Sequence, residues 1–148
     1  MTRTASALIF GEGRLRTAWG LALALAALLP ADARAQVLDA AGLEALAGRG
    51  TLHFVGPDGA YGAEQFLPGR RSLWRFAGSQ TCQSGHWYER GPAICFLYEG
   101  EPAPSCWILE KIGAGVIARS EGGGPDATLS LERIDPAPLP CPLTGAGS

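Results

Sequence analysis

The stretch Cys82-Gln83-Ser84-Gly85-His86-Trp87-Tyr88-Glu89-Arg90-Gly91-Pro92-Ala93-Ile94-Cys95-Phe96-Leu97-Tyr98 decides the fold. It holds two of the four cysteines of the chain, a Gly-x-Trp, a Gly-Pro turn and an apolar run over Ile94–Tyr98. Gly91-Pro92 predicts a tight turn, with Gly85–Arg90 and Ala93–Glu99 as the two arms of a hairpin. Ile94–Tyr98 is apolar at odd and even positions alike. Side chains alternate between the faces of a strand, so this one is expected to be covered on both sides, with a helix over one of them.

Reading outward from the hairpin, apolar residues recur with a period of two and are punctuated by turns. Thr51–Val55 and Ala60–Leu67 flank Gly56-Pro57-Asp58-Gly59, in which Pro presets φ and Gly takes the left-handed position. Pro68-Gly69-Arg70 turns the chain into Ser72–Ala77, with Trp74 and Phe76 on one face. Beyond the hairpin, Ser105–Ile112 returns after the Pro-rich loop Gly100–Pro104. Gly113-Ala114-Gly115 leads into Val116–Arg119, and Ala127–Ile134 closes the series with Leu129 and Leu131 inward. The tail Asp135–Ser148 is Pro-rich, irregular and tethered by Cys141. These elements predict an all-β, antiparallel meander of about eight short strands. Closure into a small barrel or a sandwich protects the edges that an open meander would expose.

One helix is expected in this domain, over Val37–Gly48. Asp39 can cap it, Leu38, Leu43 and Leu46 form its apolar stripe, and Gly48 or Gly50 ends it. It is too short to be stable alone, so it must pack against one end or face of the sheet.

Met1–Ala35 has the pattern of a secretory leader. Arg3, Arg14 and Arg16 precede the apolar run Ala18–Leu29, Pro30 breaks the run, and Ala33-Arg34-Ala35 is a small-x-small cleavage site. The run is about 12 residues long, against roughly 20 for a spanning helix. A retained anchor or a core helix is the competing reading. Cleavage leaves one domain, Gln36–Ser148, in the periplasm or outside the cell, with no stable membrane anchor. An even set of cysteines in an exported chain reads as two disulfides. Cys95 with Cys106, across a hairpin turning near Gly100-Glu101, leaves Cys82 to clip Cys141; Cys82–Cys95 with Cys106–Cys141 is the next choice. The wide cysteine spacing does not suit zinc, and no cofactor motif is present.

Gln36–Ser148 carries eight basic and twelve acidic side chains, a net charge of −4, while the whole chain stands at −2. Nucleic acid and anionic membranes need clustered positive charge, and one lysine in a mildly acidic domain does not supply it. His53 and His86 lie in no recognised spacing with a nucleophile or a second ligand. Glu64, Glu89, Glu99 and Glu101 alternate with apolar residues and read as a solvated face rather than as a catalytic pair. Gly56–Gly62 is glycine-rich but opens no helix, so it is no phosphate loop. Trp74, Trp87 and Trp107 read as core. Tyr61, Arg70, Arg71, Arg75 and Tyr88 are the residues expected to form a binding face, since Tyr and Arg are common interface anchors.

Tyr61-Gly62-Ala63-Glu64-Gln65-Phe66-Leu67-Pro68-Gly69-Arg70-Arg71, Gly85-x-Trp87, Ile94-Cys95-Phe96-x-Tyr98 and Cys106-Trp107 carry a resemblance. In these motifs and in the preceding helix the chain resembles a group of small exported alphaproteobacterial proteins with no established activity. It has a looser likeness to the small periplasmic β-barrel inhibitors of lysozyme or metalloproteases, which share its size, export, disulfides and Gly-x-Trp. The expectation is therefore a non-enzymatic binding or interaction protein whose partner is a protein or a small molecule. Hydrolase inhibition through Gly56–Gly59 or Gly100–Pro104 is the alternative, and an enzyme using Glu64 or Glu89 with a histidine is a third reading.

Overall fold

The computed structural model describes residues 34–124 and 128–141; most of the leader and the end of the tail lie outside the described residues. The elements are β1 (Gln36–Val37), α1 (Ala40–Ala47), β2 (Thr51–Gly56), β3 (Gly59–Leu67), β4 (Arg71–Phe76), β5 (Gln83–Arg90), β6 (Ala93–Tyr98), β7 (Ser105–Ile112), β8 (Gly115–Ser120) and β9 (Thr128–Asp135). From β2 to β9 each strand pairs antiparallel with the next, and β9 returns to pair with β2. The result is a closed eight-stranded barrel, so the choice between barrel and sandwich falls to the barrel. Closure gives each strand from β2 to β9 two partners and leaves no long edge among them to be shielded.

The expected turns do this work. Arg90 faces Ala93 across Gly91-Pro92, and Gly91 takes φ 59°. Gly69 and Arg70 both adopt left-handed φ, 77° and 55°, where β3 reverses into β4. Gly50 bridges α1 and β2 at φ 140°, so close to the Asp135 carbonyl that a Cβ would collide with it.

The period of two divides each strand between lumen and surface. Leu52, Trp87, Ile94, Phe96, Leu109 and Ala118 belong to one buried cluster inside the barrel. Their neighbours in sequence face out. The outer face of β6 is also covered, as its composition required, but not by the helix. Ala93, Cys95 and Cys106 are buried there with Tyr88 and Ile108 against them. The Cys95–Cys106 disulfide joins directly paired positions of β6 and β7, and Cys82–Cys141 is the second bond.

The helix plugs one end of the barrel. It starts at Ala40 rather than Val37, because Gln36 and Val37 pair with Lys111 and Glu110 as a short extra strand beside β7. Asp39 Oδ1 accepts from the Gly42 N–H at 2.8 Å, and Glu89 Oε1 accepts from the Ala40 N–H at 2.6 Å. Both satisfy donors that a helix leaves open at its start. Leu43 is fully buried and joins Leu52 and Trp87 in the core. Arg70 reaches Glu44 at 3.5 Å and lies over the Trp87 ring at 4.8 Å, which ties the helix to the β3–β4 turn.

The described part of the tail is strapped across the outside of the barrel. Thr51 Oγ1 donates to the Ala137 carbonyl, the Leu139 N–H to Gln65 Oε1, and Arg75 Nη1 to the Pro140 carbonyl. Cys141 then ends the strap at Cys82. An irregular segment keeps its place because each of these groups has a fixed partner.

Candidate functional site

With α1 closing one end, the turns β2–β3, β4–β5 and β6–β7 surround the other. A cavity of about 260 Å³ runs inward from this end, with Leu43 of the helix among its lining residues. Half of the residues that line it are aromatic. Phe54, Tyr61, Trp74 and Phe76 form a connected group, with Tyr61 5.7 Å from Trp74 and Trp74 5.4 Å from Phe76, centroid to centroid. Phe66 and Phe96 stand edge to face at 6.2 Å further round the wall. Phe76 is 46% exposed, and Glu101 and Ser105 are exposed, which places them at the mouth.

Glycines shape this wall. A bulge between Phe54 and Val55 shifts the β2–β3 register, so that Phe54 pairs with Gly62 and Val55 with Ala60. Tyr61 falls in the bulge and turns its ring into the cavity. Gly62 has no side chain because the Trp74 indole occupies its space, and Gly85 leaves the same room for Tyr98.

The polar centre is Glu64, which overturns its reading as part of a solvated face: it is 3% exposed and points into the lumen. Tyr98 Oη donates to Glu64 Oε2 at 2.7 Å. Glu64 Oε1 and Ser72 Oγ are buried without a hydrogen-bond partner among the described residues. Burial pushes the Glu64 carboxyl up to about 7, while Ser72 and Tyr98 favour its charged form and pull the other way. The Tyr98 hydroxyl is pushed far above its usual range by burial and by Glu64, so it remains a donor. The signal for Glu64 lay in the period of two. Gly62, Glu64 and Phe66 share a face, and an inward Phe66 requires an inward Glu64.

The structure does not gather the five residues of the expected binding face. Tyr61 lines the cavity. Arg70 is engaged at the helix end. Arg71 and Arg75 lie on the outer face of β4, where Arg71 Nε donates to the Pro68 carbonyl and Arg75 holds the tail. Tyr88 packs beside the Cys95–Cys106 bond and stacks on His86. The other carboxylates and histidines are also apart. Glu89 is exposed and takes the helix N-terminus, and Glu99 and Glu101 are exposed. His53 lies outward on β2, opposite Arg133, with its pKa lowered first by burial and then by Arg133. His86 is exposed on β5. No histidine is among the described residues that line the cavity. Trp74 and Trp87 are buried and Trp107 packs on the core, as expected.

This arrangement can enclose an apolar body and present one buried carboxyl to it. It can hold or release a proton near neutral pH, because Glu64 titrates there. Comparison of the chain with protein-family models, curated proteins and solved structures found no match.

Proposed function

We propose that the protein is an exported, non-enzymatic binding protein whose barrel takes a small, mostly apolar ligand through the end opposite the helix. One observation carries this reading: an aromatic-walled cavity of about 260 Å³ that is open at Phe76 and Ser105 and contains few polar groups. Ligand pockets combine these features, and an eight-stranded barrel has room for one small ligand. Export is supported by the leader pattern of Met1–Ala35 and by the two disulfides. Among the described residues no helix is long and apolar enough to cross a membrane.

The test is titration of the purified, disulfide-bonded domain with neutral apolar probes such as indole and 2-phenylethanol. Tryptophan fluorescence and thermal melting are the readouts. Saturable binding is expected, and Ser105→Trp, which places a bulky ring at the mouth, should abolish it. A probe that binds the variant as well as the unmodified protein would count against the cavity. Mass spectrometry of the exported protein should find a chain beginning at Gln36, four hydrogens lighter than the thiol form.

A second reading, hydrolase inhibition, is favoured by the placement of Gly56–Gly59 and Gly100–Pro104 at the same end of the barrel. Assays against lysozyme and metalloproteases decide it, since an inhibitor acting through these loops should lose potency when either is replaced by glycine and serine.

A further inference from the structure

Apolar binding alone leaves Glu64 unexplained. A carboxyl is costly to bury, and this one keeps an oxygen without a partner. We propose that Glu64 orients the ligand, and that the ligand is a small organic amine, an ammonium head on an apolar body. The proposal rests on the cavity reading above.

Three observations carry it. First, the carboxyl is already positioned. Tyr98 Oη holds Oε2, which leaves Oε1 to accept a hydrogen bond from an incoming group. A donor on the ligand would satisfy this buried carboxylate oxygen, with little reorganisation.

Second, the charge around the cavity has one sign. Among the described residues that line it, Glu64 and Glu101 are the charged groups, and none is Lys, Arg or His. Glu101 lies at the mouth and Glu64 deeper in. A cation therefore meets attraction on entry and a paired hydrogen bond inside. A fatty or aromatic carboxylate meets repulsion at both places, and a buried like-charge contact is strongly disfavoured. Third, Tyr61, Trp74 and Phe76 present rings around the path inward. Aromatic faces attract organic cations, most of all where water is excluded.

The ligand head would donate N–H to Glu64 Oε1, with the carboxyl ionised, and its apolar body would lie along the rings. Ser72 Oγ is also buried without a hydrogen-bond partner, and its effect on Glu64 puts it within reach of the carboxyl. It can turn its hydroxyl toward the same carboxylate.

The experiment compares three probes with one apolar body: 2-phenylethylamine, 2-phenylethanol and phenylacetate. Each is titrated into the disulfide-bonded domain at pH 8 and followed by calorimetry and tryptophan fluorescence. The amine is expected to bind at least about tenfold more tightly than the alcohol, with the carboxylate weakest, as a charge-assisted bond in a water-poor site requires. E64Q should bring the amine to within about threefold of the alcohol. The order of the three probes on the unmodified protein is informative whether or not E64Q folds. Binding of the alcohol with no preference for the amine overturns this proposal and leaves the cavity reading standing. Failure of all three to bind overturns both.

Discussion

Tyr98 Oη stands 2.7 Å from Glu64 Oε2 and links β6 to β3 across the lumen, although β4 and β5 lie between them in the wall. The pair fixes the one buried carboxyl of the described residues and sets how the barrel responds to pH.

Glu64 has an ordinary carboxylate value of 4.5 once the chain unfolds and about 7 in the barrel. The folded state therefore holds this proton more tightly than the unfolded state. Stability is greatest below about pH 4.5 with respect to this group and falls as pH rises to about 7, by roughly 3 kcal/mol in all. Tyr98 and Ser72 act on the carboxyl and stay neutral through this range. Urea unfolding at pH 5 and pH 8 is expected to show E64Q gaining on the parent protein at the higher pH. Equal differences at the two pH values would contradict a buried, titrating Glu64.

Tyr98→Phe removes the hydroxyl that donates to Glu64 Oε2 and leaves that oxygen without its partner. The expected loss is about 1–3 kcal/mol, larger at pH 8 than at pH 5 because the ionised carboxylate needs the bond more. Combining Y98F with E64Q should remove that pH difference, and a double-mutant cycle measures the coupling.

Gly62→Ala and Gly85→Ala test the cavity wall. A Cβ at Gly62 would clash with Trp74 Cζ2 and lie 2.7 Å from the Arg75 carbonyl oxygen; at Gly85 it would lie 2.7 Å from Tyr98 Cδ1. Overpacking of this kind costs typically 1–3 kcal/mol. Either variant is also expected to weaken probe binding, because Trp74 or Tyr98 must move. An unchanged melting temperature with unchanged binding would show that these rings do not set the cavity.

The two disulfides close loops of different length, with separations of 59 for Cys82–Cys141 and 11 for Cys95–Cys106. Loop entropy assigns roughly 4 kcal/mol to the first and about 3 kcal/mol to the second. Cys82→Ser with Cys141→Ser should free the tail strap, seen as faster amide exchange at Leu139, while the barrel stays closed. Cys95→Ser should lower the melting temperature, since it opens a fully buried position. His86→Ala should leave it unchanged, since His86 is exposed.

By itself the sequence determined the eight barrel strands, the turns between them and the helix cap, but not the short strand Gln36–Val37. These depend on neighbours in the chain: Gly and Pro at reversals, alternation within strands, and Asp39 before α1. The predicted return of one strand on the next favoured Cys95 with Cys106, but Cys82–Cys95 with Cys106–Cys141 stayed open until the structure showed Cys95–Cys106 and Cys82–Cys141. Only the tertiary structure decided closure, because the contact of β9 with β2 joins residues far apart in sequence. The same closure turned one face of every strand into a shared interior. That took Tyr61 away from Arg70, Arg71, Arg75 and Tyr88, and took Glu64 from an apparent surface into the lumen. The bulge at Phe54 and the missing side chains of Gly62 and Gly85 shaped the cavity. A carboxyl at an inward position reads as an ordinary polar residue until the opposite wall is in place, and here that wall is Tyr98.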